Sequence, residues 1–91
     1  EEFVVILPET NIADAVEIAN SMRVTIEHLG ISHAKSQIAD NVTLSMGVAS
    51  FIPQTNTSPV LLISAADKCL YEAKEAGRNR VEFGNDRLSN V

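Results

Sequence analysis

An unbroken apolar run near the start of the chain, Phe3-Val4-Val5-Ile6-Leu7 closed by Pro8, constrains the fold more than any other stretch. Val4, Val5 and Ile6 are β-branched, and a run with no polar alternation reads as a strand covered on both faces. Such a strand needs neighbours on either side and helices above and below it. Two carboxylates, Glu1 and Glu2, stand directly before the run, at the rim of the expected sheet. Carboxylates in that position can gather hard cations, and the same pair also serves as a plain solvated strand end.

Pro8-Glu9-Thr10-Asn11 is a turn cluster, and either Thr10 or Asn11 can cap a following helix, with Asp14 near its positive end. Ile12, Ala15, Val16, Ala19, Met22, Ile26 and Leu29 then recur at three- and four-residue steps, which predicts one helix from about Ile12 to Leu29. Gly30 suits the left-handed position that ends it. From Ile31 to Asn41 the period lapses, and a connecting loop with a short irregular strand is expected. His28 and His33 near this junction have no Cys beside them and no ligand spacing, so they read as surface residues.

Val42 to Ile52 alternates strictly, with Val42, Leu44, Met46 and Val48 on one face and Thr43, Ser45, Gly47, Ala49 and Phe51 on the other. The mostly small face lets a helix come close to the backbone. Ser58-Pro59 is an N-cap followed by proline at the first helical position, and the helix it opens should bury Leu62, Ala66, Cys69, Leu70 and Ala73 before Gly77 stops it. Cys69 on that stripe reads as an inert buried thiol. A short strand from Arg80 to Phe83 precedes a polar tail. The predicted order is strand, helix, strand, helix, strand, an α/β chain built around a sheet.

With 91 residues the chain is at most one small domain. A net charge of −5 argues against a nucleic-acid or anionic-membrane binder, because affinity for a phosphate backbone requires a basic surface. Any phosphate ligand must be met by a few local cations or by metal. The single Cys69 cannot form an intrachain disulfide, no signal pattern opens the chain, and no apolar run is long enough to span a bilayer, so a cytoplasmic setting is expected.

Local cations stand where the second helix should end, in Lys74-Glu75-Ala76-Gly77-Arg78. Lys74 and Arg78 are four apart and would face the same way if helical geometry continued past the end. They can simply complement the negative end of the helix dipole, or an ammonium and a forked guanidinium can together hold a polyphosphate.

Glu1-Glu2-Phe3 with the Val-Val-Ile-Leu-Pro run, Thr43-Leu44-Ser45-Met46-Gly47-Val48-Ala49, and Ala66-Asp67-Lys68-Cys69-Leu70-Tyr71-Glu72-Ala73-Lys74 with Gly77-Arg78-Asn79 occur in that order. Together they closely resemble the C-terminal part of the GGDEF domain of diguanylate cyclases. The resemblance implies a palm-like, nucleotidyl-cyclase-type, antiparallel-rich sheet flanked by helices, with residues 1–84 the C-terminal part of the domain and 85–91 a polar tail. It implies condensation of two GTP into cyclic di-GMP with release of two pyrophosphates, in an antiparallel homodimer. It makes Glu1 and Glu2 the catalytic carboxylates, Glu1 a ligand of Mg2+ (or of Mn2+) and the candidate base for the 3′-hydroxyl and Glu2 an aid to metal binding and to the geometry of the turn, with Lys74 and Arg78 the holders of the triphosphate.

By the same resemblance the paired glycines of the motif, a metal-binding Asp, the guanine-reading residues and an inhibitory Arg-x-x-Asp site belong before Glu1. A sensor domain is expected in the parent chain, cytoplasmic or attached to a membrane with this domain on the cytoplasmic side. The 91 residues alone are expected neither to fold well nor to catalyse. An inactive receptor or scaffold domain of the same fold is the alternative reading.

Overall fold

A computed structural model describes residues 2–32, 41–55 and 57–84. Among these residues, two helices and two strands follow in the order α1 (Ile12–Leu29), β1 (Ser45–Val48), α2 (Pro59–Glu75) and β2 (Arg80–Phe83). This is an α/β portion consistent with the palm-like fold. The tail expected at 85–91 and the loop residues 33–40, His33 among them, lie outside the described residues.

Both helices begin and end where local chemistry dictates. Asn11 is the N-cap of α1, its Oδ1 accepting from the Asp14 backbone N–H at 2.8 Å. Thr10 does not cap; its hydroxyl donates back to the Pro8 carbonyl at 3.0 Å. Gly30 closes α1 at φ 62°, ψ 34°, donating its N–H to the Glu27 carbonyl at 3.2 Å. Ser58 caps α2 through the Val60 N–H at 3.2 Å, with Pro59 in the first turn. Caps of this kind contribute about 1 kcal/mol each.

β1 and β2 pair in parallel, Ser45 opposite Arg80 and Val48 opposite Phe83, and α2 is the crossover between them. Parallel partners need such a crossover. β1 is shorter than the alternation from Val42 to Ile52, because a strand extends only as far as its partner and β2 spans four residues. Where a loop with a short irregular strand is expected, the described residues show an antiparallel bridge between Ser32 and Asn41, with the Val42 N–H on the Ile31 carbonyl at 2.7 Å; the rest of that stretch, 33–40, lies outside the described residues.

The small face of β1 receives α2. A methyl group added at Gly47 would fall on the Ala66 carbonyl oxygen and the Leu70 nitrogen and lie 2.9 Å from the Cys69 carbonyl carbon. The buried residues among those described are correspondingly small: Ala15 and Ala19 of α1, and Ala65, Cys69 and Ala73 of α2. Leu62, Ala66 and Leu70, expected deep in the core, are only half-buried, a rotation of the stripe by about one residue.

The apolar run at the start corrects the expectation of a strand covered on both faces. Residues 2–7 carry no strand pairing, and Phe3, Val4, Val5 and Ile6 are 83%, 69%, 59% and 80% exposed. β-branched residues favour extended backbone, but a strand also requires hydrogen-bond partners. Among the described residues nothing pairs with this run. Ile18 and Met22 are likewise 41% and 38% exposed on α1.

A core of alanines and one thiol beside a bare apolar segment supplies little cohesion. The 91 residues alone should therefore melt without a sharp calorimetric transition and bind a hydrophobic dye at low temperature. A cooperative transition with no dye binding would contradict this.

Candidate functional site

The parallel register places the starts of β1 and β2, and the end of the crossover helix α2, at one edge of the molecule. The expected site residues must be assembled there. A helix C-terminus carries negative partial charge, so an anion at this edge has to be met by cationic side chains rather than backbone N–H groups.

Glu2 reaches this edge from the other end of the chain. Lys74 Nζ donates to Glu2 Oε2 at 2.9 Å, joining residues 72 positions apart. Both side chains keep solvent access, 35% for Lys74 and 57% for Glu2, so the pair is screened and adds little to stability. The hydrogen bond from Lys74 and its positive charge hold the Glu2 carboxyl below its ordinary value of 4.5. A lowered carboxyl value means that the pairing is present above the ordinary value and lost as pH falls through the lowered one. Lys74→Met should return Glu2 towards 4.5, read from the carboxyl carbon shift in an NMR titration; an unchanged midpoint would show that the pair does not form.

Arg78 does not continue the helix. α2 ends at Glu75 with Ala76 as its cap; Gly77 follows at φ 122°, Arg78 at φ 64° and Asn79 at φ 45°. The condition for Lys74 and Arg78 to face the same way, helical geometry carried past the helix end, is therefore not met. The Arg78 N–H closes on the Ala73 carbonyl at 2.9 Å, and its own carbonyl accepts from Arg80 Nε at 3.2 Å. Its side chain is exposed, with no hydrogen bond or ion pair among the described residues. Glu1 lies outside the described residues.

Asn79 is the contact that residue patterning left without a role. Its Oδ1 accepts from Arg23 Nη1 at 3.0 Å, its Nδ2 donates to Glu27 Oε2 at 2.6 Å, and its backbone N–H donates to the Ser45 hydroxyl at 3.2 Å. Arg23 is steadied in turn by Asn20 Oδ1 at 3.0 Å and by the Glu27 carboxylate at 3.6 Å. The Arg23-to-Glu27 spacing on one helix face was the available signal. Its target, 56 residues further on, had none.

Among the described residues no cluster of three or more His, Cys, Asp or Glu could by itself hold a metal. No helix among them is long and apolar enough to cross a membrane.

The family model "Diguanylate cyclase, GGDEF domain" matches residues 1–80. The chain is 41% identical over 81 residues to the response regulator PleD of Caulobacter vibrioides, covering 89% of this chain and 18% of that protein. It is 36% identical over 88 residues to diguanylate cyclase A of Treponema denticola, covering 97% and 23%. With diguanylate cyclase VdcA of Vibrio cholerae it shares 40% over 82 residues, covering 89% and 24%. The chain thus spans about a quarter or less of the length of these relatives. A carboxylate from the start of the chain paired with the end of α2, a Ser45-to-Asn79 contact joining two motifs, and a match over residues 1–80 agree: the chain belongs to the GGDEF-domain family of diguanylate cyclases.

Proposed function

We propose that the protein carrying this chain is a diguanylate cyclase that condenses two GTP into cyclic di-GMP and two pyrophosphates. The observation that carries the reading is the 2.9 Å contact between Lys74 and Glu2, which puts a metal-type carboxylate beside a phosphate-type cation. The contact supports a reading in which the carboxylate and the ammonium are the two halves of a metal–triphosphate site.

The donor set suits a hard divalent cation. Glu2 offers an accessible carboxylate oxygen, and Mg2+ is commonly bound by one or two carboxylates with substrate phosphates completing its shell. Glu1 and Glu2 would hold Mg2+ or Mn2+, and the metal when bound supplies charge neutralisation at the phosphate oxygens. Lys74 holds the triphosphate as a point charge and Arg78 as a fork. Glu1 takes the proton of the 3′-hydroxyl as that oxygen bonds to the α-phosphorus of the GTP held by the second subunit of an antiparallel homodimer. The bond from that phosphorus to pyrophosphate breaks, and the step repeats in the other direction.

A parent with a regulatory sensor domain, and a cytoplasmic position for this domain, complete the proposal. The full-length protein with Mg2+ and GTP should form cyclic di-GMP, and Glu2→Gln should depress its formation. Binding of GTP without product would replace the cyclase reading with that of a nucleotide receptor.

The Glu2–Lys74 pair also predicts coupling between ligands, because binding trades one ion pair for a carboxylate–metal and an ammonium–phosphate contact. Mn2+ and GTP should each bind the full-length protein at least roughly fivefold more tightly when the other is present. Independent affinities, measured by electron paramagnetic resonance for Mn2+ and by calorimetry for GTP, would count against the shared site.

A further inference from the structure

We infer that Asn79 is a positioning residue for nucleotide binding, holding the Arg78 turn in register through Arg23 and Glu27 of α1 and Ser45 of β1. The inference rests on the reading of Arg78 as a phosphate ligand and adds what sets its place. Arg78 and Asn79 are consecutive non-glycine residues in the left-handed region, at φ 64° and 45°. Such a conformation persists only where its surroundings over-determine it. Arg78 contributes only backbone contacts to the turn, with Ala73 and Arg80.

The remaining restraints converge on Asn79. Its amide oxygen meets a cation and its amide nitrogen meets an anion, at 3.0 Å from Arg23 and 2.6 Å from Glu27, so the charges fix which way the amide points. The backbone N–H is taken by Ser45 at 3.2 Å. These three partners come from α1 and β1, so the residue directly after Arg78 is tied to both elements at once. Arg23 is only 19% exposed, which restricts where its end of the clamp can move. The Arg78 side chain makes no hydrogen bond or ion pair among the described residues and is aimed by the backbone that carries it.

The test is a double-mutant cycle on the full-length protein, reading the affinity for a non-hydrolysable GTP analogue with Mg2+ by calorimetry. Asn79→Ala should raise Kd about tenfold, the scale of a lost hydrogen bond to a charged partner. In an Arg78→Ala background the same change should add no more than about twofold, because the residue it positions is gone. Losses that simply multiply would overturn the inference, since they would mean that Asn79 supports the fold without acting through Arg78.

Asn79→Asp sets a carboxylate against Glu27 and should weaken binding; adding Glu27→Gln supplies an amide donor and should restore it to within about twofold of the parent. This pair carries the test if Asn79→Ala fails to fold, and failure of the restoration would overturn the inference. If Arg78→Ala alone leaves Kd unchanged, the assignment of Arg78 as a phosphate ligand fails, and the positioning role falls with it. If Arg78→Ala weakens binding and Asn79→Ala does not, only the positioning role falls.

Discussion

Gly47→Ala unfolds the β1–α2 unit, with an expected loss of about 3 kcal/mol or more, the upper end of what overpacking costs. The added methyl would coincide with the Ala66 carbonyl oxygen and the Leu70 nitrogen, which are backbone atoms in the middle of a regular helix. A flexible side chain could swing aside; a helix backbone moves only as a whole. Displacing α2 would also uncover Cys69 and Ala73, both fully buried, and withdraw Lys74 from Glu2. The contrast is Gly30, where an added methyl meets nothing within 4 Å and only the left-handed backbone resists, at about 1 kcal/mol. Denaturant unfolding of both variants in the full-length protein checks this. If Gly47→Ala unfolds at the wild-type midpoint, α2 does not close on β1 as described.

Arg78→Ala is expected to lower kcat/KM for GTP about 100-fold, near 2.7 kcal/mol, while leaving stability nearly unchanged. The guanidinium is exposed and unpaired among the described residues, and alanine meets the same left-handed backbone cost as arginine. Arg78→Lys keeps the charge but not the fork, so it should recover only part of the loss. Arg78→Gly separates the two roles most cleanly. At φ 64° glycine relieves backbone strain and should stabilise the protein by up to about 1 kcal/mol while activity still falls. Stability and activity moving together across these three variants would mean that Arg78 is part of the fold and not of the site.

The bare run from Phe3 to Leu7 shows where residue patterning stops. Its composition specifies extended backbone and burial, and both are statements about a sheet that the described residues do not supply. Apolar character describes what a segment would do with a partner. An edge without one exposes both the side chains and the backbone groups.

Residues interacting within a few positions of one another made much of the fold legible. The bounds of α1, the Ser58 cap, the left-handed Gly30 and the strand from Arg80 to Phe83 all follow from local hydrogen bonding and from the helical and strand periods, whereas the choice of Asn11 over Thr10 as the first cap came from the structure. The motifs likewise led to the family. The sequence by itself therefore determined the two helices, the alternation of helix and strand from Ile12 onwards and the family, while the strand it predicts at the start of the chain is not formed among the described residues. Only the tertiary structure decided that Glu2 meets Lys74, that Gly47 is where α2 touches β1, and that Asn79 ties the Arg78 turn to Arg23, Glu27 and Ser45. Those contacts join positions dozens of residues apart, and their partners are set by strand register and by the direction of the crossover helix, which no local period encodes.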